Sequence, residues 1–208
     1  NGEIWSYGYN GYGQLGTGDT TYKVLPTYTG INNITQISLG GTHTLALDTE
    51  GHVWSWGYNG YGELGNGTTT SSTEKVQVKS PDGEGVLENI VAISAGNYHS
   101  IALDKDGNVW GWGNNKDYCL GTTEDGTDLQ PEENDYLKNI TKISVGEVHS
   151  LALDKDGNVW TWGNNDYSRL GRKTVPDWKP TKLNDLKNIT DIVAGGKHSF
   201  ALSNSGQL

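Results

Sequence analysis

The sequence predicts an all-β chain organised as a β-propeller, and three observations carry that prediction. Thirty glycines, eight tryptophans and eleven tyrosines stand against one phenylalanine and no methionine in 208 residues. Glycine weakens helices and serves turns, whereas Trp and Tyr suit half-buried pleated surfaces. Histidines at 43, 99, 149 and 198 mark four in-phase segments with spacings of 56, 50 and 49 residues, and a period of roughly 40 to 50 with tryptophan-marked strands favours propeller blades. Within each segment apolar residues alternate with small or polar ones, and short runs end at Gly, Asn and Asp clusters. That is strand periodicity with hairpin turns.

The chain opens on Gly2-Glu3-Ile4 and an aromatic pair, Trp5 and Tyr7, followed by a Tyr/Gly turn from Tyr9 to Gly16. Ile34 to Gly40 and His43 to Leu47 read as two alternating strands, and the turn Asp48-Thr-Glu-Gly51 leads into the pair Trp54/Trp56. The same order recurs as Ile90 to Gly96, His99 to Leu103, the turn Asp104-Lys-Asp-Gly107 and Trp110/Trp112. It recurs again as Ile140 to Leu153, the turn at Asp154 to Gly157 and Trp160/Trp162, then as Ile189 to Leu202 with Ser203-Asn-Ser-Gly206. Asp-Gly and Asn-Gly steps supply the positive φ of tight hairpins. About four short antiparallel strands fit each repeat. The repeats run approximately 2–50, 51–106, 107–156 and 157–205, and 206–208 restart the opening motif as a fifth. Residues 1–208 therefore read as a single propeller segment of four repeats. A lone four-stranded blade cannot bury both faces, so the copies must stack.

The same residues carry a resemblance. Trp-x-Trp/Tyr-Gly-x-Asn followed by Gly-Gln-Leu-Gly-x-Gly (Tyr7 to Gly18), then Ile-x-x-Ile-Ser-x-Gly-x-x-His-Ser/Thr-x-Ala-Leu, is similar to the regulator-of-chromosome-condensation (RCC1-type) repeat family over essentially the whole chain. The resemblance implies a β-propeller, usually of seven blades. Four repeats fall short of seven and would leave unpaired strand edges. We expect a segment of a larger propeller, or self-association of chains to close the ring. The turn motif is kept as Tyr9 to Gly16 and Tyr58 to Gly65 but changes to Asn114 to Gly121 and Asn164 to Gly171 in the later repeats, where Asn10, Asn59, Asn115, Asn165 and the Leu-Gly step persist.

Several function classes fall away. The net charge of −10 and pI near 4.8 repel phosphate backbones and anionic lipid, so no nucleic-acid partner is expected. No run of about 18 apolar residues exists for membrane insertion, and the single Cys119 cannot form an internal disulfide. Gly11 to Gly16 and Gly60 to Gly65 match G-x-G-x-x-G, yet loop residues follow where a dinucleotide site needs a helix. Asp104-Lys-Asp106-Gly107-Asn108 and its copy at 154–158 start like a calcium loop, but Val109 and Asn115 stand where the sixth-position glycine and the twelfth-position bidentate Glu are needed. No Gly-x-Ser-x-Gly elbow or His-Glu-x-x-His helix is present. No catalytic residue, cofactor or metal is assigned, and the chain reads as a non-enzyme.

The repeat positions His43, His99, His149, His198, Trp54, Trp110 and Trp160 read as blade structure, since buried polar groups find partners in each copy. His52 reads as a solvated hairpin residue. Three Asn-Ile-Thr sequons, at Asn33, Asn139 and Asn188, share one repeat position, and a fourth lies at Asn66. Binding is then expected where the copies differ, in face loops. The candidates are Tyr9, Tyr12, Tyr58 and Tyr61, with Tyr167 aligned to Tyr12 and Asp117 replacing it in the third repeat, together with Tyr118 and Trp178. Tyrosine on a rigid turn gives contact area at low entropy cost, and packing between blades is the alternative use. Two charged regions add to these: the acidic stretch Glu124 to Asp135, and the last repeat. Residues 1–157 hold eight Lys/Arg against 21 Asp/Glu, and the remainder holds seven against four.

The expected function is a non-catalytic module that binds a protein partner or surface ligand through face loops. The resemblance also implies two alternatives, guanine-nucleotide exchange on a small Ran-type GTPase and a propeller-type enzyme inhibitor. By analogy with exported family members, a bacterial, extracellular or cell-surface setting is expected rather than a cytoplasmic one.

Overall fold

The computed structural model describes residues 1–122, 126–173 and 178–204. The restart at 206–208 and Glu124 and Asp125 of the acidic stretch lie outside the described residues. Sixteen strands form, and among the described residues the remaining regular element is a 3-10 turn at Asp166–Ser168. Three antiparallel four-stranded sheets carry the body of the chain: β3 (Ile34–Leu39), β4 (His43–Asp48), β5 (Val53–Gly57) and β6 (Ser72–Gln77); β7 (Ile90–Ala95), β8 (His99–Asp104), β9 (Val109–Asn114) and β10 (Thr127–Glu133); and β11 (Ile140–Val145), β12 (His149–Asp154), β13 (Val159–Gly163) and β14 (Thr181–Lys182). Each is a simple meander in sequence order. Two-stranded sheets flank them, β1 (Trp5–Gly8) with β2 (Lys23–Tyr28) and β15 (Ile189–Ala194) with β16 (Ser199–Ser203).

The blade frame is offset from the sequence frame. One repeat of sequence, residues 2–50, supplies the outer pair β1–β2 of one blade and the inner pair β3–β4 of the next. The described residues thus make three whole blades and two halves, β1–β2 being an outer half and β15–β16 an inner half. Each turn between the second and third strands is closed by an aspartate. The Asp104 Oδ1 accepts the amides of Asp106 and Asn108, each at 2.9 Å, and its Oδ2 accepts the Trp110 indole N–H at 3.1 Å. Asp48 and Asp154 do the same for Trp54 and Trp160, at 2.9 and 3.0 Å. The calcium-like sequence is thereby accounted for by turn and indole, and these hydrogen bonds hold the three carboxyls below the usual carboxylate range despite partial burial.

The cores lie between blades, not within them. Leu45, Leu47 and Val53 of the first whole blade pack with Ile90, Ile93 and Trp112 of the second. Ile101, Leu103 and Val109 pack with Ile140, Val145 and Trp162 of the third, and Leu151, Leu153 and Val159 with Ile189 and Ile192. The opening half packs through Ile4 and Ile31 on Ala46 and Trp56. Successive blades meet through their first and second strands: β7 lies on β3 and β4, β11 on β7 and β8, and β15 on β11 and β12. Hydroxyls pin these contacts. The Ala95 amide donates to Ser38, Val145 to Ser94 and Ala194 to Ser144, at 2.9 to 3.1 Å.

A second clamp explains the tryptophan pair. The inner member is fully buried, and its indole N–H reaches the preceding repeat's turn: Trp56 to the Gln14 carbonyl, Trp112 to Glu63 and Trp162 to Cys119, at 2.8 to 2.9 Å. The same carbonyls accept the hydroxyls of Thr44, Ser100 and Ser150. Because each serine gives its proton to a carbonyl, it can only accept from histidine. His43 Nε2 therefore donates to Ser100 at 2.9 Å, His99 to Ser150 at 3.3 Å and His149 to Ser199 at 2.9 Å. Burial drives their imidazoles down to about 4, 3 and 4, so all three are neutral around pH 7. A side chain on Gly40, Gly96 or Gly146 would overlap the ring of the histidine three residues later, which fixes the Gly-x-x-His spacing.

Candidate functional site

The turns from Tyr9, Tyr58, Asn114 and Asn164 sit at one edge of the blades beside the loops joining the first and second strands. The Tyr58 amide donates to Thr42, Asn114 to Tyr98 and Asn164 to Val148, at 2.8 to 2.9 Å. In each turn an Asn, buried in the first three and half-buried at 165, accepts the amide of the Leu five residues on: Asn10 from Leu15, Asn59 from Leu64, Asn115 from Leu120 and Asn165 from Leu170. That hydrogen bond accounts for the Asn in all four copies, while the Leu persists as a buried side chain and the Gly for its positive φ, 61° to 77°.

Two kinds of turn are built on this frame. In the first two repeats the Tyr9 and Tyr58 rings fold back over Gly11 and Gly60, where any side chain would overlap the phenol. In the later repeats the residue is Asn, and its side-chain oxygen accepts the amide two residues on, Asn114 from Lys116 and Asn164 from Asp166, each at 2.8 Å. The glycine is then unnecessary, and Lys116 and Asp166 occupy its place. The departure from the repeat is a swap of one turn-closing device for another.

The first device leaves an aromatic ridge. Ring centroids step from Tyr9 to Tyr12 (6.5 Å), Tyr58 (5.0 Å), Tyr61 (6.2 Å) and Tyr98 (5.5 Å), all edge to face. Such pairs are worth about 0.5–1.5 kcal/mol each beyond area burial, yet Tyr9 remains 66% exposed and Tyr12, Tyr61 and Tyr98 about 40%. The ridge thus combines the two uses the sequence left open, since its rings pack on one another and face solvent. Tyr98 carries no repeat signal, because the residue before the histidine is Thr42, Val148 or Lys197 elsewhere. That variability inside a constant frame was the available clue.

The ridge ends at the third repeat. Asp117 takes the place of a tyrosine, and its Oδ1 accepts a hydrogen bond from the Asn164 side-chain Nδ2 at 2.9 Å, replacing the Tyr12–Tyr58 ring contact with a hydrogen bond. Tyr61, Tyr98, Lys116, Asp117 and the exposed Glu147 line a cavity of about 220 Å³ there. Tyr167 is not part of the ridge. It is 79% exposed and lies between two cations, Arg169 and Lys197, each 5.7 Å from its ring. Tyr118, at φ +57°, and Trp178 line a neighbouring groove with Asp117 and Asp166, and Trp178 stacks edge to face on Tyr136.

Glu63 lies beneath the ridge and escaped the sequence reading. It is fully buried, its Oε2 accepts the Tyr61 amide at 2.9 Å, and its Oε1 meets no partner among the described residues. Burial raises its carboxyl to about 7. The same turn position holds Gln14, Cys119 and Arg169 in the other repeats. Cys119 is buried and donates its thiol to the Asn114 carbonyl at 3.0 Å, and burial pushes its pKa up. It is not a nucleophile. Among the described residues no group of three His, Cys, Asp or Glu could hold a metal, and no helix is long and apolar enough to cross a membrane.

Comparison with known proteins fits this architecture. The Arabidopsis thaliana ultraviolet-B receptor UVR8 is 31% identical over 126 residues, covering 59% of this chain and 28% of that protein. The human E3 ubiquitin-protein ligase HERC2 is 31% identical over 129 residues, 60% of this chain and 3% of that protein. Among solved structures, yeast RCC1 (Prp20) bound to Kap60 superposes with a TM-score of 0.81 at 27% identity, covering 98% of this chain and 50% of that one. Human WBSCR16 superposes at 0.85 with 24% identity, over 98% and 54%. The chain thus spans about half the length, or less, of the proteins it matches. These relatives are eukaryotic and lend no support to the bacterial setting expected from composition. A family model described as RCC1-like domain matches residues 1–208, and the chain belongs to that family.

Proposed function

We propose that this part of the propeller is a non-catalytic protein-interaction surface and that the tyrosine ridge is where a partner binds. One observation carries the reading: the fold does not need these rings. Asn114 and Asn164 close the same turn without an aromatic group, so Tyr9 and Tyr58 are surplus to the turn they occupy. Exposed aromatic residues on a rigid frame are what binding hot spots are made of. The protein relatives point the same way, since yeast RCC1 has been solved with Kap60 bound. Capture from a cell extract by the wild-type chain and by the Tyr12→Ala/Tyr61→Ala variant tests it. A partner held by the first and lost by the second is expected, with thermal unfolding of the two chains alike. Identical captured sets would remove the ridge from consideration.

A second reading, nucleotide exchange on a small GTPase, is favoured by the likeness to yeast RCC1. Release of a fluorescent guanine nucleotide from a Ran-type GTPase separates the two: acceleration supports exchange, and an unchanged rate leaves the binding module.

A further inference from the structure

We infer that the ridge takes a cationic segment, an extended peptide whose arginine or lysine side chains seat on the tyrosine rings. This rests on the ridge being a binding surface and names the chemistry of what binds.

The fourth repeat supplies the template. Tyr167 aligns with Tyr12 and Tyr61, and two cations of the chain itself stand over its ring. One comes from two residues later in the turn, Arg169, and the other from the residue before the same repeat's histidine, Lys197. At Tyr61 these two positions hold Glu63 and Tyr98, and at Tyr12 they hold Gln14 and Thr42. The first two repeats therefore keep the aromatic receptor and lack the internal cation. At Tyr61 a buried carboxyl that keeps its proton up to about pH 7 stands where the fourth repeat has a guanidinium, so that position puts no cation beneath the ring. Elsewhere the chain again places cations over aromatic rings, Lys75 over Trp54 at 4.3 Å and Lys179 over Tyr136 at 4.7 Å.

The surroundings complement a positive ligand. Residues 1–157, which hold the whole ridge, carry eight Lys/Arg against 21 Asp/Glu. The ridge ends at the cavity whose charged lining is Asp117, the exposed Glu147 and Lys116, two acids against one base. Cation–π attraction at a single exposed ring is weak and strengthens when the cation is desolvated. A row of rings can therefore hold a multiply charged segment that no single ring could, with the flanking acids raising its on-rate.

Titration calorimetry of the chain with the synthetic peptide (Arg-Gly)4, and with (Ser-Gly)4 and (Glu-Gly)4, tests this. Saturable binding of the arginine peptide is expected, unmatched by the other two. Tyr61→Phe should bind as the wild type does, because the π face remains. Tyr61→Leu and Tyr12→Leu should each weaken binding about tenfold with the net charge unchanged, and thermal unfolding shows which variant has stayed folded. Glu147→Gln should weaken it less and flatten its salt dependence. Equal binding of the serine or glutamate peptide overturns the cationic assignment while leaving the ridge a binding surface. Undiminished arginine-peptide binding by both folded leucine variants, or none by the wild type, overturns the proposal outright.

Discussion

At the scale of single residues, the buried histidines and Glu63 set opposing responses to pH. His43, His99 and His149 titrate near 6.5 when unfolded and at about 4, 3 and 4 when folded. Between about pH 4 and 6.5 the unfolded chain binds protons there that the folded chain refuses, so stability falls as pH drops through that window. Glu63 has the opposite sign, because the folded chain keeps its proton up to about 7 against an ordinary value near 4.5. Its contribution therefore falls as pH rises from about 4.5 to 7. Three histidines outweigh one carboxyl across this range, and above about pH 7 the two contributions nearly cancel, so stability climbs from pH 4 to a plateau above about pH 7. Urea midpoints measured from pH 4 to 8 should show that rise and plateau, and Glu63→Gln should steepen the rise between about pH 4.5 and 7; a variant with the wild-type profile would remove Glu63 from the balance. Gly96→Ala should cost upwards of about 2 kcal/mol, since the new methyl meets both the His99 ring and the Gly146 carbonyl. An unchanged urea midpoint would contradict that account. Histidine and glycine were legible as repeat positions in the sequence, but the proton direction was not, because it depends on which hydroxyl the neighbouring blade presents. The positive φ of Asn33, Asn89, Asn139 and Asn188, all from 55° to 61°, likewise explains the Asn-Ile-Thr position. Asn89 occupies it without forming a sequon.

At the scale of elements, the turn and the indole clamp make separable predictions. Converting the second turn to the later type by Tyr58→Asn with Gly60→Lys should leave the melting temperature within a few degrees, since Asn59 still holds Leu64. It should also cut the ridge in two, abolishing partner capture; a large loss of stability would show that the tyrosine is structural. Trp112→Phe removes the indole N–H from the Glu63 carbonyl within a packed core and should cost about 1–3 kcal/mol in urea unfolding. A midpoint equal to wild type would reduce the indole to a space-filler. Strand positions and the aromatic pairs could be read from alternation. The division of labour within each pair could not, because Trp110 answers to its own turn while Trp112 answers to the previous repeat.

At the scale of the whole molecule, the two ends of the arc are unlike its interior joints. Ile37 and Leu39 are 52% and 69% exposed, whereas their counterparts Ile93 and Ala95 are buried. Tyr7 is 67% exposed at the position of Trp56, and Phe200 is 50% exposed at that of Leu45 and Ile101. Apolar faces of this kind need cover. The isolated 208-residue chain should self-associate with rising concentration and bind a hydrophobic dye, as light scattering and fluorescence would report. A dye-silent monomer at every concentration would show that these faces are stable bare. The period announced the propeller; the offset between repeat and blade was hidden, because a repeating string has no intrinsic starting point. That offset bears on how such a ring can grow or shrink. Excising residues 51–106 would join β4 to β9, uniting the inner pair of one sheet with the outer pair of the next. Every hairpin would be restored, and the ring would be shorter by one sector. Length variation by unequal exchange between repeats is thereby quantised in whole sectors, wherever within the repeat the crossover falls.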